Sequence, residues 1–296
     1  MLGNSKDNQP TASGNVDEDT YNGGVVGTQN IIDAVNRSGS VQRVVYTSSV
    51  AAIFHDEKPE GYEWTENDWA SDSVSSLSPY ARSKVDTEKM VMAAAEDSDG
   101  SWSAVSINPA HIVGPLLFSA QYGVWPEQIG HICEGHTVPD GRWNIIDVRD
   151  LVAAHRLAAE SDVDHRTTEG GARYQLCTTE GQMFVTTSAR IRQRVPGLTE
   201  RIQKLFPTFA NLRGLSDPSG WGRRGWIPAS AKWSNRADAA KARNVLGVTT
   251  RDVNETLRDT ISSLLELELI NPQITAVVSQ TVDPSSSHEE KPSSKL

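Results

Sequence analysis

The sequence predicts an α/β fold built on a parallel sheet. Three observations carry this. Helix-patterned and strand-patterned stretches follow one another along the chain, in the order helix, strand, helix, strand. "RVVYTSS" is a short β-branched and aromatic run that reads as a buried strand ending at Ser48 and Ser49. "WSAVSINPAHIVGP" gives a second short strand, closed by Pro109. In such sheets function gathers at the C-terminal ends of the strands, which is where Ser49 and Pro109 fall.

Taken in order, residues 1–20 are polar and acidic and read as irregular. "GTQNIIDAVNRSG" carries Ile31, Ile32 and Val35 at helical spacing and stops at Gly39. After "RVVYTSS" comes a polar loop through "HDEKPEGYEWTENDW", then a helix from Tyr80 to Glu96 and the strand closed by Pro109. "WNIIDVRDLVAAHRLAAE" reads as a strand entering a helix, with Asp150 near the N-terminus of that helix, where a carboxylate is favoured. "ARYQLCT" is a further strand. "TTSARIRQRVPG" is a helix stopped by Pro196 and Gly197. "WSNRADAAKARNVLGV" and "DVNETLRDTISSLLELELI" are late helices, the second with an apolar stripe. From Ser279 to Leu296 the composition cannot bury a core and predicts a disordered tail.

The composition narrows the class. The chain has 296 residues, 37% of them hydrophobic, enough for a packed core in one large or two small domains. A net charge of -10 argues against nucleic acid or an anionic membrane as the main partner. Cys133 and Cys177 are the two cysteines, too few for a disulfide framework, which points to a reducing compartment. No apolar run reaches the roughly 20 residues of a membrane span. "MLGNSKDNQPTASGN" has no apolar core, so a secretory signal is not expected.

The chemistry rests on Ser49, Tyr80 and Lys84. Tyr80 and Lys84 stand four residues apart, one helical turn, so phenol and ammonium share a face. A tyrosine titrates near pH 10, and a nearby ammonium lowers that value. Lys84 is therefore expected to lower the pKa of Tyr80 and to donate hydrogen bonds to a ribose. Ser49, at the end of the preceding strand, is expected to hold a substrate carbonyl beside the phenol. Together they would deliver a proton to oxygen while a nicotinamide delivers hydride to carbon. The Tyr–Lys spacing alone also fits an ordinary solvated helix surface.

Ordered pieces over most of the chain sharpen this: "VVGTQNIIDAV", "VQRVVYTSSVAAIF", "TENDW", "YARSKVDTEKM", "INPAHIVGP", "NIIDVRDLVAAH", "ARYQL" and "AKARNVLGV". In this the chain resembles the extended short-chain dehydrogenase/reductase family, also called NAD-dependent epimerase/dehydratase. It looks closest to the branch of dihydroflavonol reductases, cinnamoyl-CoA reductases and related aldehyde and ketone reductases. The resemblance implies a Rossmann-like parallel sheet with helices on both faces and a small C-terminal substrate-binding region. On that basis residues 21–278 form the domain, the nucleotide-binding part mainly 21–115 and the substrate side mainly 116–278. The resemblance makes Ser49 the catalytic serine, Tyr80 the acid/base and Lys84 the holder of the nicotinamide ribose. It places Thr47, Pro109 and Ile112 along the nicotinamide. It implies NADP or NAD as cofactor, NADP slightly favoured, a small-molecule substrate, and a homodimer as a common arrangement.

One departure accompanies the resemblance. The family opens with a strand, a Gly-rich turn and a helix that hold the pyrophosphate. The nearest string toward the N-terminus, "NGGVVG" at residues 22–27, lacks the first glycine of G-x-G-x-x-G and follows the acidic "NVDEDTY". It matches the family's middle helix, where Gly27 is expected to permit close helix packing. "TAS" at Thr11 to Ser13 resembles the end of the family's fourth strand. At about 25 residues per βα unit, roughly 75 residues of the family pattern are expected to be missing. The remaining sheet is then expected to be N-terminally truncated, with an unpaired apolar edge. The chain alone is expected to bind NAD(P)H weakly or not at all. An incomplete gene model, a truncated non-catalytic binding protein and a missing half supplied by another chain all stay open. So do a steroid-type dehydrogenase and a sugar-nucleotide epimerase or dehydratase, which use the same three residues.

Other features carry plainer readings. His131, Cys133 and His136 in "HICEGH" fit no standard zinc spacing, and no metal is expected. His111 lies near the expected cleft, as a substrate contact or a packed side chain. Trp125, Trp221, Trp226 and Trp233 either line an aromatic pocket or pack the core. Asp147, Arg149 and Asp150 are expected to fix a strand-to-helix turn. Ser294, Lys295 and Leu296 spell S-K-L at the C-terminus, a peroxisomal address read by an import receptor; the alternative is coincidence and a cytoplasmic protein.

Overall fold

The computed structural model of the chain describes residues 16–54, 62–70, 77–135, 141–178, 182–185, 198–209 and 236–272. The expected helix 186–197, the tail 279–296, Thr11 to Ser13, His136, Trp221, Trp226, Trp233 and the S-K-L terminus lie outside the described residues.

The first helix corrects the expectation of an irregular start. α1 runs unbroken over Val16–Ser38, so residues 16–20 are helical. Glu18 and Asp19 sit in its first turns, where the helix dipole favours carboxylates. Tyr21 anchors this end. Its hydroxyl donates to Asp86 Oδ2 at 2.8 Å, and the Arg82 guanidinium lies 3.9 Å over its ring. The glycine that permits close helix packing is Gly24, not Gly27. A Cβ on Gly24 would fall 2.1 Å from Ser83 Oγ, whereas one on Gly27 meets nothing within 4 Å. The helix ends at Gly39, as expected, with φ at +62°.

β1 (Arg43–Thr47), β3 (Ser103–Pro109) and β6 (Arg173–Leu176) form a parallel sheet in the order β1-β3-β6. The register pairs Thr47 with Ile107 and Pro109 with Leu176, so the strand ends lie side by side. β1 is half-buried rather than the buried strand expected, because it pairs only with β3 among the described residues. It forms the sheet's edge. Ser48 and Ser49 lie just past its end. Ser49 caps a short 3-10 turn, Val50–Ala52, through a hydrogen bond from Ala51 N.

Helices cover both faces of this sheet. α2 (Pro79–Glu96) starts with Ser78 accepting from Ala81 N at 3.2 Å and with Pro79 at its first position. It packs with α1 against Ala104, Trp102, Val44 and Tyr46. On the other face, α4 (Val148–Glu160) and α6 (Ala240–Leu246) pack Leu151, Ala154, Ala158 and Ala242 on Val105, Ile107, Tyr174 and Leu176. The two-residue alternation of a strand therefore sends Ala104, Ser106 and Asn108 toward α2 and Val105 and Ile107 toward α4.

A second sheet pairs β4 (His111–Val113) with β5 (Gly141–Asp147) in parallel, and β5 with β7 (Gln182–Val185) antiparallel. It closes on α3 (Val124–Cys133), α5 (Leu198–Leu205) and α7 (Val253–Glu266) around Ile129, Ile132, Ile145, Ile202, Leu257 and Ile261. β2 (Glu63–Trp64) and β8 (Arg236–Ala237) make a short parallel pair. The strand-to-helix turn at β5–α4 is held as the sequence suggests. Asp147 caps α4 by accepting from Arg149 N at 2.8 Å, and the Arg149 side chain bridges Asp147 and Asp259. Asp150 accepts from Arg251 N at 2.7 Å and pairs with its guanidinium.

Candidate active site

Tyr80, Lys84 and Glu88 recur every four residues, so they line one face of α2. That face meets the C-terminal end of β1. Lys84 Nζ donates to the Thr47 carbonyl at 3.0 Å and lies 5.5 Å from the Tyr46 ring centre and 5.8 Å from the Tyr80 ring centre. Tyr46 is fixed in turn. Thr87 spends its only hydroxyl proton on the Ser83 carbonyl at 2.6 Å, so the Tyr46 hydroxyl donates to Thr87 Oγ1 at 2.5 Å. Ser49 is buried, and its side chain is near enough to the Tyr80 phenol to act on its ionisation. The fold thus brings Ser49, Tyr80 and Lys84 together.

The electrostatics differ from expectation in one respect. Burial pushes the Tyr80 phenol above its ordinary value of 10.0, and Ser49 beside it opposes this only in part. Lys84 does not lower it. Burial also pushes the Lys84 ammonium below 10.5, against the pull of the Glu88 carboxylate. For both groups desolvation by burial sets the direction of the shift.

Thr47 lies at the exposed end of β1, and its hydroxyl is 2.7 Å from His155 Nε2. His155 Nδ1 is 2.8 Å from the Leu151 carbonyl, which has only lone pairs, so in the neutral imidazole Nδ1 carries the proton and Thr47 donates to Nε2. Thr47, Tyr80 and Lys84 line one groove of about 470 Å³ between α1, β1 and α2, with Gly24, Gly27 and Thr28 on its far wall. Pro109 and Ile112 do not line it. Pro109 is buried at the end of β3, and Ile112 packs on the α4 side with Val105 and Leu151.

Beneath the serine loop is a polar cluster that the sequence reading passed over. Glu88 is fully buried and accepts from Ser48 Oγ at 2.5 Å, Asn108 Nδ2 at 2.8 Å and Arg173 Nε at 2.6 Å. Asn108 Nδ2 also lies 3.3 Å from the Ser49 carbonyl, and Ser106 Oγ donates to Asn108 Oδ1 at 3.1 Å. Arg173 Nη1 donates to the Glu66 and Asp68 carbonyls, and its guanidinium stacks 3.6 Å over Trp69. A signal for the cluster exists in the sequence. Glu88 continues the Tyr80–Lys84 spacing, and polar residues alternate with apolar ones in "SINP" and "RYQL".

The remaining candidates are structural. His111 is 5% exposed, stacked 3.5 Å from the Trp125 ring and edge-on to Trp143, and burial pushes its pKa down to about 3. It is a packed neutral side chain. Trp125 packs beside the C-terminal core. His131 pairs with Glu127 at 3.9 Å, while Cys133 is buried in that core with its thiol pushed up to about 12.

Against known proteins, a model of the NAD dependent epimerase/dehydratase family matches residues 7–174. The NADPH-dependent methylglyoxal reductase GRE2 of Saccharomyces cerevisiae is 24% identical over 262 residues, which cover 82% of this chain and 70% of that protein. The ketoreductase azaE of Aspergillus niger is 26% identical over 257 residues, 82% of this chain and 68% of its own. Among solved structures, yeast methylglyoxal/isovaleraldehyde reductase Gre2 complexed with NADPH superimposes with a TM-score of 0.62 at 23% identity, covering 83% of this chain and 70% of that one. Vestitone reductase from alfalfa gives 0.62 at 20% identity, covering 86% and 74%.

Proposed function

Because the chain belongs to the NAD dependent epimerase/dehydratase family, we propose that its Ser49–Tyr80–Lys84 centre reduces a small or aromatic aldehyde or ketone with NADPH. The observation that carries this reading is the placement of Ser49 beside the Tyr80 phenol at the strand ends, with Lys84 one turn along the same helix face. Relatives described as NADPH-dependent methylglyoxal reductase and ketoreductase favour carbonyl reduction over sugar-nucleotide or steroid chemistry, and NADPH over NADH.

The residues present fit the nicotinamide end of such a cofactor. Lys84 is a half-buried cation lining the groove, and Thr47 offers a hydroxyl beside it. A nicotinamide cofactor held there would supply hydride to the carbonyl carbon. Ser49 donates to the carbonyl oxygen and orients it. Tyr80, kept protonated by burial, gives that oxygen its proton. Lys84 holds the ribose hydroxyls and the β1 strand end through Thr47.

The test is NADPH oxidation with methylglyoxal and an aromatic aldehyde, at cofactor concentrations in the millimolar range. Tyr80→Phe keeps the ring and removes the proton, so turnover should drop by about 10²–10⁴-fold with unchanged unfolding. Since the phenol's pKa is raised, reduction should hold level through neutral pH and decline only in the alkaline range, as the donor ionises. Turnover surviving in Tyr80→Phe sinks the reading.

We also infer that Ser294, Lys295 and Leu296 address the protein to peroxisomes through an import receptor. A fluorescent protein fused ahead of the chain should appear as puncta. Removing Leu296 should make it diffuse, and an unchanged pattern would count against the address.

A further inference from the structure

Three groups from three elements converge on the Glu88 carboxylate. Ser48 comes from the loop after β1, Asn108 from β3 and Arg173 from β6. All four residues are less than 5% exposed. Ser48 and Ser49 are adjacent, and Asn108 reaches both Glu88 and the Ser49 carbonyl. Glu88 also sits one turn beyond Lys84 and two beyond Tyr80 on the same helix face. One carboxylate therefore links the α2 face that bears Tyr80 and Lys84 to the loop that bears Ser49.

Stability does not account for this arrangement. A buried ion pair is often replaced by apolar residues without loss, because desolvation of the two charges offsets their attraction. The opposite face of the same strands is filled by Val105, Ile107, Tyr174 and Leu176, so the strands themselves accept an apolar layer. What the charges add is geometry. Short charge-assisted bonds fix donor and acceptor directions more sharply than apolar contact does. Proton transfer between Ser49, Tyr80 and a carbonyl oxygen depends on such placement to within fractions of an ångström.

We propose that Glu88 is a positioning residue for the Ser49–Tyr80 pair: held by Arg173, it clamps the loop after β1 through Ser48 and Asn108 and sets the distance between that loop and α2. Glu88 touches neither the reacting atoms nor the groove. The proposal rests on the reductase reading for its effect on turnover, but the clamp itself can be measured without it.

The test uses the full chain with Glu88→Gln and Arg173→Met combined, which removes both buried charges and leaves neither unpaired. Two quantities are read beside the unfolding midpoint. The first is amide hydrogen exchange in the segment 47–53, compared with β3 at 103–109. The second is kcat and KM for an aldehyde at saturating NADPH. The clamp predicts a parental midpoint, exchange about tenfold faster in 47–53 with 103–109 unchanged, and kcat lower by about tenfold with KM within about twofold. A purely structural ion pair predicts parental exchange in 47–53 and kcat within about threefold of the parent. Either readout at its parental value overturns the proposal. If the midpoint itself falls, the same readouts are taken on Ser48→Ala, which removes one arm and no charge. A parent chain without turnover would fail the reductase reading, and the exchange result would still decide the clamp.

Discussion

Single residues separate cleanly here into those that titrate for function and those that titrate against the fold. His111 is of the second kind. Its pKa falls from 6.5 to about 3 because burial against Trp125 and Trp143 disfavours the cation. In the unfolded chain the same imidazole takes up a proton below about pH 6.5. The unfolded state then binds more protons, so stability is lost as pH falls from about 6.5 toward about 3. At about pH 4.5 the loss from this one group is on the order of 2–3 kcal/mol. Replacing His111 with Phe should flatten that part of the profile. Urea unfolding at about pH 7 and about pH 4.5, on both proteins, measures it; equal slopes would mean that another group carries the acid sensitivity. His165, pushed down to about 4 and bonded to the Tyr174 hydroxyl, acts with the same sign.

At the scale of elements, the α1–α2 contact positions the groove wall opposite Tyr80 and Lys84. Two glycines of α1 play different parts in it. Gly27 faces open space, so Gly27→Ala should gain the roughly 0.5–1 kcal/mol that alanine has over glycine in a helix. Gly24 lies against the buried Ser83 hydroxyl, which must swing away if a methyl enters. Gly24→Ala should therefore forgo that gain, and adding Ser83→Ala should restore it. Thermal unfolding of the two singles and the double measures a coupling of about 1 kcal/mol; strict additivity would show that the helices yield instead. The same contact explains a misplacement in the sequence reading. "NGGVVG" reads as part of a helix, but the pattern does not say which glycine faces α2. That depends on the phase at which two helices cross.

For the whole molecule, the site is assembled from elements far apart along the chain. Tyr80, Lys84 and Thr47 meet at one end of the β1–α1–α2 groove. β1 is the sheet's edge among the described residues, and no G-x-G-x-x-G string lies among them; the string G-W-G-R-R-G at residues 220–225 falls outside them. NADPH should therefore bind this 296-residue chain with a Kd above about 100 μM, since most cofactor affinity comes from its phosphates. Fluorescence titration giving a Kd of a few micromolar would overturn this.

Much of this was legible in the sequence. β-branched runs ended where strands end, the helix expected from Tyr80 to Glu96 matches α2, and four-residue spacing put Tyr80 and Lys84 on one face. α3 and α5 were not, because their apolar faces are short and acquire meaning only against α7 and β5. By itself the sequence determined local periodicity, the helix stop at Gly39, and a family likeness written in ordered short motifs. The tertiary structure alone decided three things. Burial raises the Tyr80 phenol despite Lys84, Gly24 rather than Gly27 admits α2, and Glu88 joins Ser48, Asn108 and Arg173. The physical reason is common to all three: desolvation, close approach and hydrogen-bond partnership are properties of residues far apart in sequence, and they have no value until the chain has folded.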